Sequence, residues 1–450
     1  MNYSYLHQDK TPLNIRRSWE NADNFETTFK QFFSKNDMQG LISFLESFCN
    51  TYPLKRDLIR QAHNQVAEIG LTSLADECAR IYVETCSTLL KVGKKELGLP
   101  TIFEFYHRNG IKSELVNQAA LTKMLLQIKA LPIKPVFPLS MKLQTDFILA
   151  FQPYLADCFE ILSESSSQVE LFSSLSKFAP YAPIFYKFSD TQYGHNSNFV
   201  IDCHKNLMEK KVNPYPFQLK DVTIDKALKF LKPYGILPND DFVVLYVGEE
   251  EYLNTFTQIA DNAYAKQFVS TVDFFLQQGF KVVRLGHFRM KQMMDRPGFI
   301  DLTKIQKPEE VEIFLCGRAK FYFGTRSGPI DLAYNFGTPC FEIARIDYFG
   351  LKTNHFAQYI IFEDAQTKYK YKFSDLVELG LQSQTNIEPF LTKQLAPCLP
   401  TSQDNLNFAK ESLDYLFKGK IFHLNATYKS EREQHKVWGG LSAQVLPLLK

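Results

Sequence analysis

The chain has 450 residues and a formal charge of +2. That length has room for two or three domains at roughly 100 to 200 residues each, and that charge gives no overall basic field to recruit nucleic acid. Hydrophobic residues make up 45% and charged residues 22%, with 40 Phe and 22 Tyr, which excludes a disordered chain and suggests tightly packed helices.

The start, "MNYSYLHQDKTPLNIRRSWEN", has no apolar segment of the kind a signal peptide needs. No apolar run approaches membrane-spanning length, so the expectation is a protein without a transmembrane segment, cytoplasmic or exported without a Sec signal. Eight cysteines at 49, 78, 86, 158, 203, 316, 340 and 398 form no CxxC and no zinc-type His/Cys spacing. Buried, reduced thiols are expected, because free Cys behaves as a small hydrophobe.

Residues 24–95 read as helices. In "DMQGLISFLESFC" the apolar Leu41, Phe44, Leu45 and Phe48 recur at i, i+3, i+4 and i+7, the spacing of one helix face. A second helical stretch from Leu58 to Cys86 is broken at Gly70. No repeat of fixed period emerges, so this region is either a structural appendage or a platform for a protein partner. Proline clusters at 131–139, 212–218 and 396–403 mark boundaries. They divide the chain into a helical N-terminal region (1–130), a small α/β domain (131–214), a Rossmann-like domain (215–400) and a C-terminal helical tail (401–450). Within the second of these, "FEIL" (159–162) and "APIFYKFS" (182–189) read as strands.

Beyond 215 the pattern sharpens. Apolar runs "DFVVLYV" (241–247), "FKVVRLG" (280–286), "GFIDL" (298–302), "KFYFGT" (320–325) and "PCFEIA" (339–344) read as strands, with helical segments at 265–278, 308–317 and after 328. Strands alternating with helices at this spacing imply parallel βαβ units with right-handed crossovers and a doubly wound sheet. In such sheets ligands settle at the carboxyl ends of the strands, so the loops after Val247, Leu285 and Phe323 are where a site is expected.

The third loop is "GTRSGP". Gly324 and Gly328 permit close backbone approach, Pro329 suits a helix start, and Gly337 suits its stop. Ile330, Ala333 and Phe336 bury one face of the short helix. Its free amides and dipole attract an anion, and Thr325, Arg326 and Ser327 add donors around a phosphate; alternatively, Ser327 simply caps the helix. In the loop after Leu285, Gly286 leaves room for a ligand, and His287, Arg289 and Lys291 are cationic or polar partners for a phosphate or base; the alternative is a basic surface loop. The loop after Val247 carries Glu249, Glu250 and Glu251, either a solvated acidic turn or the source of a base. Glu342 interrupts an apolar run, and since a carboxylate on a buried strand is costly unless paired, it is expected at the strand's end, accepting from a ligand's hydroxyls or from Arg345.

The sequence has no GxGxxG after a strand, no GxxxxGK[ST], no GxSxG, no HExxH and no DxD, which disfavours dinucleotide oxidoreductases, P-loop ATPases, serine hydrolases, zinc proteases and DxD transferases. Against that background, "GFKVVRLGHFRMK…GFIDLT…EIFLCGRAKFYFGTRSGPIDLAYNFGTPCFEI" resembles the nucleotide-binding half of a family of bacterial GT-B-type glycosyltransferases. Those have a strand ending in R(M/L)G before a "DIFLCARCRFFIGTSSGL…FGVP" block. The turn is also similar to the GTDSG-type loop of heptosyltransferases.

The resemblance covers residues 224–346 and implies a GT-B-like pair of Rossmann-type domains, with the additional helical N-terminal region outside the common core. It also implies metal-independent transfer without a cofactor, from a nucleotide-diphosphate-sugar donor to a glycan, lipid-linked saccharide or protein, as in polysaccharide biosynthesis. Gly286, His287 and Arg289 would lie by the donor's base or phosphates; Thr325, Arg326, Ser327 and Gly328 would cradle the diphosphate; Glu342 would lie near the ribose or sugar. The sequence departs from the family in lacking an arginine after its first strand ("LYVGEEEY") and in placing Pro329 where an aliphatic residue is usual. Asp190, His195 and Glu249 to Glu251 are candidates for a catalytic base. A nucleotide-sugar epimerase of the same architecture, or a non-catalytic binding module, fits the same residues.

Overall fold

The computed structural model of the chain describes residues 24–68, 71–95, 100–103, 111–128, 131, 133–139, 144–162, 206–248, 265–288, 290–346, 354–381, 387–418 and 440–441, and, between 163 and 205, only 169, 172, 176, 180–181, 185–187, 193–195 and 203–204. The chain divides into two compact units, one of residues 1–107, 121–144 and 155–203, the other of residues 108–120, 145–154 and 204–450.

In the first unit, helices α1 (Phe25–Ser34), α2 (Met38–Thr51), α3 (Asp57–Glu68) and α4 (Thr72–Lys95) follow one another. Asp37 caps α2 by accepting from the Gly40 amide at 2.9 Å, supplying one of the acceptors that a helix start lacks. Leu41, Leu45 and Phe48 bury the face that the periodicity marks, against Phe25, Phe29, Ile59, Cys78 and Tyr82. The break between α3 and α4 lies where expected, although Gly70 itself is outside the described residues.

A parallel sheet follows. Strands β1 (Ile102–Phe103), β2 (Val136–Pro138), β3 (Glu160–Leu162) and β4 (Pro180–Tyr181) take the order β3-β2-β1-β4, with α5 (Ile111–Gln127) between β1 and β2 and α6 (Asp146–Cys158) between β2 and β3. Phe103, Phe137 and Phe159 meet with ring centroids 4.4 to 5.4 Å apart. The sequence boundary at 131 falls between β1 and β2, which pair Ile102 with Val136. β5 (Phe185–Lys187) and β6 (Tyr193–His195) form an antiparallel pair.

The second unit holds a parallel sheet that contains, among the described residues, β7 (Phe242–Tyr246), β8 (Lys281–Leu285), β9 (Phe299–Asp301), β10 (Phe321–Thr325), β11 (Cys340–Arg345), β12 (His355–Tyr359) and a short β15 (Gly440–Leu441), in the order β15-β12-β11-β10-β7-β8-β9. The described strands and helices between 241 and 344 thus fall where their pattern predicts. α7 (Asp221–Leu231) precedes β7, α8 (Val269–Gln277) joins β7 to β8, α9 (Glu309–Arg318) joins β9 to β10, and α10 (Gly328–Asn335) joins β10 to β11. Val243, Leu245, Phe275, Val282, Phe321, Phe323 and Phe341 form one core on one face of this sheet.

Beyond β11 the chain adds an antiparallel pair, β13 (Ile361–Asp364) with β14 (Leu395–Cys398), and short helices α11 (Phe373–Glu378) and α12 (Glu388–Thr392) around a core of Phe362, Phe390 and Leu376. The segment read as a tail is part of the fold: α13 (Ser402–Lys418) buries Phe408, Ala409 and Leu413 in the core of the large sheet, and β15 pairs with β12. None of the eight cysteines is in a disulfide, and six of them are buried; desolvation pushes the thiols of Cys49 and Cys78 up to about 12. No helix among the described residues is long and apolar enough to cross a membrane.

Candidate functional site

The strand order of the large sheet reverses at β7. From it the chain steps out to β8 and β9 on one side, then returns to β10 and proceeds to β11 and β12 on the other. In an open parallel sheet that reversal leaves a crevice at the carboxyl ends of the two strands flanking it, here β7 and β10. Gly324 of β10 and Leu285 of β8 are both registered with Tyr246, so the loops that follow leave the sheet at the same height on either side of the end of β7.

The turn after β10 is built by its glycine and its tyrosine. Gly324 has φ +145°, and a Cβ there would run into the backbone carbonyl of Tyr246; only glycine lets β10 lie this close to β7. Thr325 then closes the floor between the strands, its Oγ1 accepting from the Gly248 amide at 2.9 Å. Tyr322 donates its hydroxyl proton to the Thr325 carbonyl at 2.7 Å and lies 2.8 Å from Ser327 Oγ. With its proton committed, the phenol oxygen is the acceptor for Ser327, whose own oxygen keeps its lone pairs. Burial raises the Tyr322 phenol well above its ordinary range, the Ser327 contact only partly offsetting it, so it remains a neutral hydroxyl. Ser327 therefore does not cap α10: no side-chain capping hydrogen bond is made. The amides of a helix start not met by a side chain are an anion site in geometry and in dipole. Arg326, between them, is exposed, and Gly328 stands in open space apart from Lys112 Cβ, 3.7 Å from where its own Cβ would be.

Helix α10 is held on more sides than its i, i+3 pattern implies. Beyond Ile330 and Ala333 it buries Leu332, Tyr334 and Asn335. Residues of the first half of α5 reach it: Ser113 hydrogen-bonds Asp331, and Asn335 Nδ2 donates to Asn117 Oδ1 at 3.0 Å. Lys112, on the same face, pairs with Glu309 at 2.5 Å and Glu312 at 3.3 Å. Gly337, at φ +87°, ends the helix as expected.

The loop after β8 is arranged differently from the sequence expectation. The space beside Gly286 is filled: a Cβ would collide with the Met290 sulfur and lie 2.8 Å from Thr303 Cγ2. The glycine admits the loop's own side chains rather than a ligand at that point. Below it lies Arg284, fully buried in β8, which donates to the Lys291 carbonyl at 2.6 Å and to Asp301 Oδ2 at 3.1 Å. Asp301 also accepts from the amides of Met293 and Thr303 and from the Thr303 hydroxyl. His287 stands half-buried at the strand's end with Phe288 exposed beside it. Arg289 lies outside the described residues.

Glu342 is not at the end of its strand. It is the third residue of β11, level with Gly324, and wholly buried. In a regular strand residues 342 and 345 face opposite sides. A register shift between them, with Ala344 at φ +56°, inserts a bulge that returns Arg345 to the same face. Arg345 Nη1 donates to Glu342 Oε2 at 2.5 Å, and His355 Nε2 lies 2.8 Å from the same oxygen. Burial alone would raise this carboxyl; Arg345, His355 and the field of Arg326 outweigh it and hold it well below the usual carboxylate range. Arg345, one of the two partners the sequence allowed, is in place.

The geometry thus brings Thr325, Arg326, Ser327 and Gly328 together at the crevice, with His287 at the same height across β7 and Glu342 beneath. Among the base candidates, His195 falls in β6, while Asp190 and Glu249 to Glu251 lie outside the described residues. Sequence reasoning passed over Arg284, Asp301 and Tyr322. The signal that exposed Glu342, a charge inside an apolar strand, was equally present for Arg284 in "FKVVRLG". Among the described residues no group of three or more His, Cys, Asp or Glu side chains is placed to hold a metal ion.

No protein-family model matches the sequence, and no curated protein matches it. Among solved structures the chain is similar to a family 9 glycosyl transferase from Veillonella parvula, at 14% identity and TM-score 0.31 over 54% of this chain and 79% of that one. It is similar to the iron-containing dodecameric glycosyltransferase TibC of enterotoxigenic E. coli, at 13% and 0.33 over 57% of this chain and 61% of that one, and so spans less than two thirds of TibC. A third likeness is to UDP-GlcNAc 2-epimerase from Methanocaldococcus jannaschii, at 10% and 0.22 over 74% and 82%. Likenesses at these scores define neither the fold nor the chemistry of this chain, which rest on its own strand order and residues.

Proposed function

We propose that the protein is a GT-B-type glycosyltransferase that binds a nucleotide-diphosphate sugar at the crevice between β7 and β10 and transfers the sugar to a glycan, lipid-linked or protein acceptor. The observation that carries this reading is the turn from Thr325 to Gly328. It sits at the reversal of strand order, presents an exposed Arg326, and leads into a helix start that no side chain caps. A departing diphosphate takes on one further negative charge as the bond to the sugar breaks, and preformed donors beside a guanidinium meet it without reorganisation. Thr325 and Ser327 add hydroxyls fixed in place by Gly248 and Tyr322. Glu342 acts from below, through its pairing with Arg345 and its field on Arg326, rather than by contact with the sugar. The β1–β4 sheet is assigned the acceptor side.

The test is a thermal-shift series with UDP-, GDP-, ADP- and CMP-sugars. Stabilisation by at least one nucleotide-diphosphate sugar, with transfer to an added acceptor, is the expected result. Donor turnover without any acceptor would instead point to an epimerase or hydrolase, and no stabilisation by any nucleotide would sink both enzyme readings in favour of a binding module.

A further inference from the structure

Helix α10 alone offers a diphosphate few donors. Pro329 has no N–H, and the Ile330 amide donates to the Ser327 carbonyl at 3.3 Å, so of the first three helical positions Gly328 is left to supply an amide. Arg326 is the exposed cation of the turn. A diphosphate carries negative charge on both of its phosphates, and one guanidinium reaches one of them well. A second cation stands close by on α5, in the same compact unit as the turn. Ser113 bonds Asp331 and Asn117 bonds Asn335, an equal step of four residues on each helix. The two helices therefore run side by side in one direction, and their positive dipole ends lie together. At that shared end the atom nearest to a Cβ built on Gly328 is Lys112 Cβ, at 3.7 Å.

The Lys112 ammonium is held on two carboxylates, Glu309 at 2.5 Å and Glu312 at 3.3 Å. Burial works against its charge, but Glu312 and Glu309 outweigh that and raise it above its ordinary value, so it stays protonated. One ammonium does not satisfy both acids: burial raises the Glu309 carboxyl, and Lys112 only partly offsets this. The flexible four-carbon stem of a lysine lets the ammonium change partners while its Cα stays in place, and here the stem starts beside Gly328. We infer that Lys112 is a second cation for the diphosphate, held on Glu309 and Glu312 in the free protein and drawn to the phosphates when they bind at Thr325–Gly328. This rests on the reading of that turn given above. The two glutamates then set affinity from outside the site, because the ligand must compete with them for the ammonium.

Calorimetric titration of the full chain with inorganic pyrophosphate, ADP, UDP, GDP and CDP tests both claims. Lys112→Met, which keeps the stem and removes the charge, should weaken the tightest of these probes about 10- to 150-fold, the range for a lost charge-assisted hydrogen bond. That variant leaves two carboxylates facing one another, so the substitution is repeated in a Glu309→Gln background, where one carboxylate has gone with the ammonium; a loss of the same order should recur there. Glu309→Gln by itself loosens the hold on Lys112 and should tighten binding about threefold or more beyond what it gives when Lys112 is already Met, the coupling expected of residues in contact. An ion pair that only braces α5 against α9 would lower the melting temperature in both single variants and leave affinity unchanged, which overturns the inference. An equal gain from Glu309→Gln with and without Lys112 overturns it too, since that is the field of the carboxylate alone. In either case a wild type that binds leaves the reading of the turn standing. A wild type that binds none of the five probes overturns that reading, and the role of Lys112 with it.

Discussion

Two neighbouring strands of the large sheet end in opposite ways. At β11, Glu342, Arg345 and His355 turn inward on one another, buried and mutually paired. At β10, one strand away, Arg326 points to solvent and the helix start beside it is left without a side-chain cap. Both strands carry an arginine next to a bulge or turn, and both arginines sit in the field of the same carboxylate. The difference is whether the charge is already answered. A buried, mutually paired cluster fixes the geometry of the edge; an exposed cation beside a helix start without a side-chain cap is what that geometry presents to a ligand.

If that division is correct, damage to the β11 cluster should fall on stability. Glu342→Gln leaves Arg345 buried without its counter-charge, and removing one partner of a buried pair typically costs about 3 to 5 kcal/mol. Urea unfolding should register a loss of that order; a change under about 1 kcal/mol would mean the cluster is not structural. The same pairing sets a pH dependence. Glu342 titrates in the folded protein below its ordinary value of 4.5, so its contribution is fully present above that pH and is lost as pH falls toward the depressed folded value. Acid should therefore weaken the wild type progressively below about pH 4.5, and the Glu342→Gln variant should show a shallower decline over the same range.

At β10 the expected effects on stability are smaller. Ser327→Ala removes one hydrogen bond to Tyr322 but no helix cap, and should cost about 0.5 to 1.5 kcal/mol. A larger loss would indicate that the side chain caps α10 in solution after all.

How much of this was legible in the sequence follows from which forces are local. Strands 241–247, 280–286, 320–325 and 339–344 announced themselves because a buried parallel strand must be apolar throughout. Their order in the sheet followed from the βαβ rule only as far as neighbours such as β10 and β11. The inward placement of Glu342 was misread because the bulge at Ala344, which brings Arg345 to it, has no sequence signature: alanine is not a residue that favours φ above zero. The filled space at Gly286 was misread for a related reason, since a glycine shows that something comes close without showing whether it is ligand or the loop's own Met290. The C-terminal helix α13 looked like a tail because its partners Phe323 and Phe341 lie far away in sequence.

The central claim is that the exposed arginine at the end of β10 belongs to a ligand and not to the fold. Its most direct test is Arg326→Ala, measured in parallel by thermal unfolding and by affinity for the nucleoside diphosphate that stabilises the wild type best. The account predicts a stability within about 0.5 kcal/mol of wild type, as for a surface position, and an affinity weaker by tenfold or more, the scale of a lost charge-assisted contact to phosphate. Unchanged affinity, or a collapse of the melting temperature, would contradict it.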